Sequence, residues 1–347
     1  MNEVEKVKLG IYFVDIFTSP PQDIFERELD LNYYWNNEPS RIVIKEEYFN
    51  QIKDNIIISP FSLPMISQPL KWSESSFGGY LSNKKNKTDI ITGSKMHAHK
   101  MENKNKLYEA INYLNSIEFK INSKFLDYLN NEGNYLLKNN LGIDKNLQRD
   151  MTIKIAEAFN NYNKPIYIPC SADWRGRIYT DSFFIDYQGS DLSLALLNFW
   201  KGEKLSEKGL NYLYIYGANN HNQDNISKKS FEKRIQWTKD NYDKIINLDR
   251  NLIETAENPF VFTSFCLEMR DLDRNKDNFI YIPIFLDATV NGMQHIAALL
   301  QDFELGTEVN LNSFDEKMDP KDLYTKLLDL SIRLLMIMVE KMKTILI

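Results

Sequence analysis

A single acid ends one of the most apolar runs in the chain. The segment from Ile282 to Asp302 reads IPIFLDATVNGMQHIAALLQD, and Asp287 is the one exception among its first eight residues, which are otherwise apolar or small. A carboxylate held at the end of a rigid, buried strand suits a hard cation such as Mg²⁺, which takes oxygen ligands. Such an acid can serve phosphoryl transfer by helping to hold the metal ions at the attacking and leaving oxygens.

Two other interpretations of Asp287 fit the same spacing. The acid could cap the helix that follows it. A hydrophobic strand that ends in Asp-x-Thr is also typical of phosphatases with an aspartyl nucleophile, although those enzymes carry a second acid where this chain has Thr289. Spacing alone therefore leaves a metal ligand, a helix cap and a nucleophile open.

A second candidate site is the stretch DWRGRIY, which runs from Asp173 to Tyr179. In a continuous strand Arg175 and Arg177 would point to the same face, and Trp174 would lie on the opposite face or stack. Two guanidinium groups on one face, beside a glycine that lets the backbone approach closely, suit a nucleic-acid backbone. The alternative is an exposed turn in which Asp173 forms an ion pair with one of the arginines.

Histidines offer weaker candidates. Gln294 and His295 begin a helix close behind Asp287, where the imidazole could be a ligand, an acid or base, or a packed polar residue. His97 and His99 would share one face of a strand, but no cysteine or further histidine lies nearby in the sequence to complete a metal site.

Charge and short motifs give two further expectations. Seven lysines against two acids lie between Lys84 and Lys106, which indicates either a phosphate-facing surface or a solvated loop. The motif YQGSD, from Tyr187 to Asp191, is typical of a turn in which Asp191 is the N-cap of the next helix.

Composition limits the class of protein. The 347 residues are 43% hydrophobic and 13% aromatic, which is enough for two or three domains with sizeable cores. A net charge of −6 argues against a globally basic nucleic-acid-binding protein. Two cysteines, Cys170 and Cys266, predict buried thiols and no disulfide framework. The sequence shows no apolar run long enough for a membrane, and neither a signal nor a transit peptide.

Hydrophobic periodicity predicts an α+β fold that is predominantly helical. The expected elements are a helix over 105–131 that breaks near Asn122–Ser123, helices near 145–160, 191–200, 206–217 and 231–256, a hairpin within 163–184, a strand Phe279–Phe285, and helices after Asn291 and over 320–347. The last helix reaches the C-terminus without a cap, as if the chain were cut there, and its LLMIMV run at Leu334–Val339 predicts a buried or interface stripe.

Four motifs together resemble one family. DWRGRIY, YQGSD, LNYLYIYGAN (Leu210–Asn219) and LDATVNGMQHIAALL (Leu286–Leu300) occur in the order and approximate spacing of single-subunit, phage-type DNA-directed RNA polymerases. These are the bacteriophage and mitochondrial enzymes and their relatives on linear plasmids. Upstream segments are similar as well, so the resemblance covers about Leu63 to the C-terminus.

The resemblance implies a catalytic role for the apolar segment. Asp287 matches the first metal-binding aspartate of the palm, and the backbone carbonyl of Ala288 would be a further ligand of Mg²⁺. Gly292, Gln294 and His295 match the family's Gly-x-Gln-His motif.

The resemblance also implies that the DWRGRIY stretch binds nucleic acid. Arg175 and Arg177 match the arginines that hold template and hybrid near the active site, and Asp173 and Trp174 belong to the same motif.

The implied architecture is part of the right-hand polymerase fold. Residues 1–62 stay unassigned, 63–117 would end an N-terminal domain, 118–160 would form thumb-like helices, and 161–347 would form the first part of a palm with a small antiparallel sheet. The fingers and the second half of the palm would be missing.

The implied function is transcription by a two-magnesium mechanism, with a DNA template, an RNA product and nucleoside triphosphates as partners and no membrane. An origin in a mitochondrion or on a plasmid fits the frequent use of residues with AT-rich codons. Full enzymes carry a second palm aspartate, and one carboxylate cannot hold two hard cations well. We therefore expect the isolated chain to be inactive. It would be an N-terminal fragment, one half of a split polymerase completed by a second chain, or a non-catalytic nucleic-acid-binding remnant.

Overall fold

The computed structural model describes most of the second half of the chain and parts of the first. The described residues are 8, 11–12, 15, 25–29, 40–48, 62–81, 90–92, 104–138, 143–274, 279–286, 290–312 and 317–345. The chain divides into two compact units, Met1–Pro60 and Phe61–Ile347. In the first unit, strands β1 (Phe25–Leu29) and β2 (Ser40–Ile44) pair antiparallel.

The second unit is mostly helical, with small sheets, as the sequence predicts. Its helices are α1 (Asn105–Asn115), α2 (Ser123–Asn131), α3 (Ile143–Asn160), α4 (Asp191–Ala195), α5 (Glu207–His221), α6 (Phe231–Asp240), α7 (Tyr242–Ile246), α8 (Arg250–Glu254), α9 (Pro259–Arg274), α10 (Asn291–Leu300), α11 (Phe303–Glu308) and α12 (Leu323–Ile345). Two 3₁₀ helices, Gly133–Leu137 and Gln223–Lys228, connect some of these elements.

The described strands of the second unit form three small sheets. They are β3 (Ile91–Thr92), β4 (Phe119–Ile121), β5 (Cys170–Asp173), β6 (Ile178–Thr180), β7 (Leu197–Phe199), β8 (Glu203–Lys204) and β9 (Phe279–Ile280). β5 pairs antiparallel with β6 and parallel with β3, while β4 pairs with β7 and β8 with β9, both antiparallel. The sheets are short because each pairing spans at most three residues of a strand.

The break expected near Asn122–Ser123 is confirmed, and it has a local cause. Asn122 precedes α2, and its side-chain oxygen accepts a hydrogen bond from the backbone N–H of Phe125. The strand β4 before it was not predicted, and neither was β7 within the expected helix 191–200. A three-residue strand is too short for its period of two to stand out from a helical pattern.

Helix α9 is the central helix of the core, and periodicity did not predict it. All nine residues from Val261 to Met269 are buried, including the polar Thr263, Ser264 and Glu268, so no face of the helix is exposed over that stretch. It packs against α4, α5 and α7. Gly217 of α5 allows the close approach, because a Cβ atom there would lie 2.3 Å from the ring of Phe265.

The principal core surrounds α9 and continues toward α2 and β4. Its largest fully buried side chains include Phe125, Phe262, Phe265, Ile166, Ile168, Ile185, Leu196 and Leu197. Cys170 and Cys266 are buried and form no disulfide, as predicted. Burial of one such aromatic or aliphatic side chain contributes roughly 1.5–3 kcal/mol, so this cluster holds the elements that carry the candidate site.

The last helix differs from its prediction in burial. Leu334, Leu335 and Met336, the described part of the LLMIMV run, are 60–65% exposed. Burial within this chain is therefore wrong for these residues, and an interface stripe, the other alternative, stays a prediction. In the part of the chain that the structure describes, helices lack the combination of length and apolarity that a bilayer crossing requires.

Candidate functional site

The candidate catalytic acid, Asp287, lies outside the residues that the structure describes. Asp287, Ala288 and Thr289 are outside the described residues, which extend to Leu286 on one side and resume at Val290 on the other. His97–His99 and most of the lysine-rich stretch between Lys84 and Lys106 also lie outside them. The surroundings of Asp287 are therefore defined by the chain that flanks it.

The chain that leads to Asp287 leaves the core before it reaches the acid. β9 ends at Ile280, so the expected strand Phe279–Phe285 is wrong beyond that residue. Ile282 is 6% exposed, whereas Leu286 is 88% exposed. Pro283 has no N–H to donate to a neighbouring strand. The buried residues Ile282 and Pro283 are thus followed by a stretch of mixed exposure, in which Phe285 still packs against the core and Leu286 is exposed, in place of a continuous buried strand.

The chain that follows Asp287 begins with a strained residue. Val290 precedes α10 with φ 50° and ψ 54°, in the left-handed region, where a β-branched side chain is seldom found. Such a conformation costs on the order of 1–3 kcal/mol and concentrates at functional sites. The backbone N–H groups of Met293 and Gln294 donate to the Val290 carbonyl, which fixes this turn.

The Gly-x-Gln-His residues on α10 have different environments. The Gln294 Nε2 atom donates to the carbonyl of Val309 at 2.8 Å, which ties α10 to the end of α11. His295 is exposed, so the interpretation of it as a packed polar residue is wrong. Gly292 is exposed, and a Cβ atom there would meet nothing within 4 Å. Gln294 therefore braces the helix, while His295 and Gly292 face outward.

A cavity of about 740 Å³ lies against the chain on both sides of Asp287. Its described lining residues come from five parts of the sequence and are Tyr216, Asn219, Asn220, Ser227, Lys228, Arg234, Asn258, Phe285, Val290, Asn291, Pro320, Lys321, Asp322 and Tyr324. Three of them are cationic and one is a carboxylate. This balance favours an anionic or strongly polar ligand.

Two of the cavity's cations are held in place by neighbours. Arg234 is 7% exposed, and its guanidinium donates to the Lys229 carbonyl at 2.8 Å and to the Asn219 side-chain oxygen at 3.1 Å. Burial lowers the pKa of Arg234 from its ordinary value, but an arginine stays charged in proteins. Lys321 pairs with Glu308 at 2.9 Å.

Lys228, the third cation, ends the 3₁₀ helix Gln223–Lys228. Among the described residues no carboxylate lies within ion-pair distance of Lys228, so its charge is available to a ligand. Within that 3₁₀ helix Asp224 and Asn225 adopt left-handed backbone angles, which redirect the chain between α5 and α6.

The cavity wall was not predicted from the sequence. Asn219 lies in a quoted motif, and Lys228 is followed by a second lysine, but nothing in their spacing joins them to Asn258 or Asp322. The signal that could have found them is the cluster of asparagines and lysines around the end of α5 and just after it.

The DWRGRIY stretch is a hairpin turn between β5 and β6. The N–H of Gly176 donates to the Asp173 carbonyl at 3.0 Å, and the N–H of Asp173 donates to the Arg177 carbonyl at 2.8 Å. Gly176 has φ +82°, which favours glycine at this position. The strand geometry that would have put Arg175 and Arg177 on one face therefore does not apply.

The Asp173 carboxylate organises this turn. It accepts the backbone N–H groups of Arg175 at 2.8 Å and Arg177 at 3.0 Å, and it pairs with the Arg175 guanidinium at 2.7 Å. Desolvation opposes the effect, but the hydrogen bonds from Arg177 and Arg175 hold the pKa of Asp173 below its ordinary value. The exposed ion-paired turn, one of the two interpretations from the sequence, describes this geometry.

The hairpin still presents cations and aromatic rings to solvent. Arg177 is exposed, and among the described residues its guanidinium has no carboxylate partner. Trp174 and Tyr179 are 47% and 41% exposed, and the Arg175 guanidinium reaches the Tyr179 hydroxyl at 3.3 Å. Exposed rings beside arginines are the combination that binds bases and phosphates of a nucleic acid.

Asp191 has a different role from the one predicted. Ser190 is the N-cap of α4, and its side chain accepts the N–H of Ser193. The Asp191 carboxylate instead accepts the N–H groups of Phe260 at 2.9 Å and Val261 at 2.8 Å, in the first turn of α9. Burial raises the pKa of Asp191 to about 6. The prediction that Asp191 caps its own helix is therefore wrong, because it caps the central helix.

Comparison with known proteins identifies relatives of one kind. The family model described as DNA-dependent RNA polymerase matches residues 203–344. A probable DNA-directed RNA polymerase of Gelasinospora sp. (strain G114) is 43% identical over 327 residues, which are 93% of this chain and 38% of that protein. T7 RNA polymerase of Escherichia phage T7 is 27% identical over 303 residues, 73% of this chain and 34% of that protein.

A mitochondrial DNA-directed RNA polymerase of Schizosaccharomyces pombe is 37% identical over 181 residues, 50% of this chain and 15% of that protein. The chain thus spans less than half of the length of each of these relatives. None of these relatives supports the aspartyl phosphatase interpretation of Asp287. Residues 203–344 match the DNA-dependent RNA polymerase family model, and the chain is similar to part of the phage-type DNA-directed RNA polymerases, which are nucleotidyltransferases.

Proposed function

We propose that this chain contributes part of the active site of a DNA-directed RNA polymerase, in which an RNA 3′-hydroxyl attacks the α-phosphate of a nucleoside triphosphate. The cavity of about 740 Å³ beside the segment that carries Asp287 is the observation that supports this most directly. Its volume lies within the roughly 300–1,000 Å³ of small-molecule sites. Its cationic wall complements the charge of a triphosphate.

Asp287 and Ala288 would hold Mg²⁺ through a carboxylate and a backbone carbonyl. Among the described residues, no group of three histidine, cysteine or acidic side chains is arranged for a metal. The described cavity wall beside Asp287 does carry the Asp322 carboxylate and asparagine side-chain oxygens, without thiol or imidazole. Oxygen donors are the ligands that Mg²⁺ prefers. When bound, the ion would stabilise charge on the attacking and leaving oxygens.

The cationic wall of the cavity would bind the phosphates. Lys228 offers a point charge with three donors, while Arg234 is fixed by its bonds to Lys229 and Asn219. A charge-assisted hydrogen bond to phosphate is stronger than a neutral one, so these side chains would orient the triphosphate toward the segment that carries Asp287.

Lys228→Ala should weaken binding of a nucleoside triphosphate about tenfold or more, because a hydrogen bond to a charged group contributes about 1.5–3 kcal/mol. Titration calorimetry with ATP and with inorganic pyrophosphate, both with Mg²⁺, would measure the loss. Lys229→Ala is the matched control, since that side chain is not among the described residues of the cavity wall. Equal losses in both variants, or none in Lys228→Ala, would contradict the proposed phosphate site.

The hairpin with Arg175 and Arg177 would contact the DNA template and the RNA product near the active site, with Trp174 as a stacking surface and Asp173 as the residue that shapes the turn. Arg175 is already paired with Asp173. If Arg175 binds a phosphate, its guanidinium must give up the ion pair with Asp173. Arg177 has no such ion pair among the described residues, so it is the better candidate to bind a phosphate.

Arg177→Gln should weaken binding of a template–primer duplex and lower the slope of log K against log salt by about 1, because one phosphate contact is lost. Fluorescence anisotropy across a series of salt concentrations measures this slope. Arg274→Gln removes the same charge from the exposed end of α9 and should leave the slope unchanged. If both variants give the wild-type slope, the hairpin does not contact phosphate.

We further propose that residues 118–160 form thumb-like helices and 161–347 the first part of a palm, after the end of an N-terminal domain at 63–117.

A second chain would supply fingers and the remainder of the palm. This partner is supported by the exposed apolar side chains that follow Asp287, on α10, α11 and α12. They include Leu299, Leu300, Phe303, Leu328, Leu334, Leu335 and Met336. A helix that is apolar around much of its circumference is stable when it is covered.

A mitochondrial location is proposed for the protein. The Schizosaccharomyces pombe relative is named as a mitochondrial enzyme, and the AT-rich codons of the abundant residue types fit an organelle or plasmid gene.

The second candidate function is a nucleic-acid-binding remnant without catalysis. The observation that favours it is the hairpin at Arg177, whose geometry does not depend on Asp287.

A further inference from the structure

Two walls of the cavity come from distant parts of the chain. The first wall carries Ser227 and Lys228, at the end of the 3₁₀ helix, and Arg234 of α6. The second wall is the segment 320–322, just before α12. Because these segments are far apart in the sequence, the width of the cavity depends on contacts that cross from one to the other.

Asp319 makes such contacts, although it precedes the second wall. Its Oδ1 atom accepts the backbone N–H of Ser230 at 2.8 Å, and its two carboxylate oxygens bind the Lys233 ammonium at 2.9 and 3.0 Å. The residues joined are 89 and 86 positions apart. Ser230 is the N-cap of α6 and is 1% exposed. Asp319 is therefore bound to the well-packed end of a helix.

Residues that line the cavity adjoin these contacts on both sides. Pro320 follows Asp319 directly, Arg234 follows Lys233 directly, and Lys228 lies two positions before the cap of α6. Asp319 and Lys233 are themselves not among the described lining residues. The pair would therefore act on a ligand through its neighbours and without touching it.

The second wall is also bound on its other side, to the end of α11. The Lys321 N–H donates to the Asn310 side-chain oxygen at 2.9 Å, and the Asn310 amide donates to the Lys321 carbonyl at 2.8 Å. The Lys321 ammonium pairs with Glu308 at 2.9 Å. Loss of the Asp319 carboxylate would leave these bonds intact and remove those that reach α6.

We infer that Asp319 is a positioning residue, which joins the second wall to the N-terminus of α6 and so sets the distance between Lys228 and Lys321. Its effect on nucleotide binding rests on the proposed function, whereas the joining of the walls does not. A cavity whose walls are already held at the right distance binds a polyphosphate without first ordering them.

The sign of the charge separates this role from a direct electrostatic one. An acid near a phosphate site repels the ligand, so removal of Asp319 would strengthen anion binding if only its charge mattered. If Asp319 positions the walls, its removal weakens binding. Hydrogen bonds from Lys233 and from the Ser230 N–H hold the pKa of Asp319 below its ordinary value, so the carboxylate is ionised near neutral pH.

The first test is titration calorimetry of the 347-residue chain with pyrophosphate and Mg²⁺. Asp319→Ala should bind pyrophosphate about fivefold more weakly than wild type. Asp319→Asn keeps an acceptor for the Ser230 N–H and loses only a partly exposed ion pair, which contributes little, so its affinity should stay close to that of wild type. Asp329→Ala is the matched control, since it removes an exposed acid farther along α12, and it should not weaken binding.

The second test is hydrogen exchange of the same variants without ligand. Asp319→Ala should accelerate exchange about tenfold in peptides that cover 227–234 and 317–323, because the bonds between them are lost, and much less in peptides from α9. Asp329→Ala should leave exchange in 227–234 unchanged.

Three results would overturn the inference. They are pyrophosphate binding by Asp319→Ala that is as tight as in wild type or tighter, exchange in Asp319→Ala that accelerates equally in α9, and an Asp329→Ala variant that weakens binding as much as Asp319→Ala. A wild-type chain that binds no pyrophosphate would contradict the proposed phosphate site. The exchange result would then decide by itself whether Asp319 joins the two walls.

Discussion

The Gly217→Ala variant should lose about 3 kcal/mol of unfolding free energy, at the upper end of the cost of overpacking a core. The added Cβ atom would lie 2.3 Å from two atoms of the Phe265 ring, and that ring is fully buried on α9. Neither a flexible side chain nor solvent can absorb the clash, so α5 and α9 must move apart. Urea unfolding followed by circular dichroism measures the change in midpoint.

Gly292→Ala is the matched control for this prediction. Gly292 also lies in a helix within one of the family motifs, but a Cβ atom there meets nothing within 4 Å. Alanine at an open helical position should be neutral or stabilising by about 0.5 kcal/mol. A Gly217→Ala variant with the wild-type midpoint would mean that α5 and α9 do not make the described contact.

The contrast between these two glycines shows what the sequence could and could not predict about the fold. Elements with local signals were predicted: the break at Asn122, the hairpin around Gly176, and the helix after Asn291. Helix α9 was not, because polar residues such as Thr263, Ser264 and Glu268 are buried in it beside apolar ones, so burial there does not follow the hydrophobic pattern. The fit of Gly217 against Phe265 joins residues 48 positions apart in the sequence, and only the packing of the two helices brings them together.

The same distinction applies to the candidate site. The resemblance to a family predicted the motif residues, such as Arg177 and His295, because a motif is a local pattern. The cavity wall joins Asn219, Lys228 and Asp322, and no local pattern links these positions. Asp191 was assigned to its nearest helix, whereas its carboxylate binds the first turn of α9, about 70 residues away.

Burial was also poorly predicted near Asp287. Residues 282–286 are apolar, which predicted a buried strand, yet Ile284 is 37% and Leu286 88% exposed, while Ile282 is 6% exposed. Apolar residues that a partner covers cannot be told from core residues by composition alone. The prediction of a strand failed where the proposed second chain would pack.

Asp287→Asn should abolish templated RNA extension while leaving template binding unchanged. The variant is best made in a chimera in which this chain replaces the matching segment of the Gelasinospora relative, which is 43% identical over 93% of the chain. The relative's remaining sequence then supplies what a second chain would. Removal of the charge that we propose to hold the catalytic cation should lower the rate of nucleotide addition to a primed template about 10³-fold, or about 4 kcal/mol.

Asp302→Asn is the control that removes an acid without affecting the site. Asp302 caps α11 by accepting the N–H of Leu305, and asparagine caps a helix about as well, so this chimera should stay active. The 347-residue chain alone should not extend the primer, because one palm carboxylate cannot hold two cations. Extension by the isolated chain would contradict the need for a partner. An active Asp287→Asn chimera would contradict the catalytic role, and an inactive unsubstituted chimera that still binds template would favour the remnant.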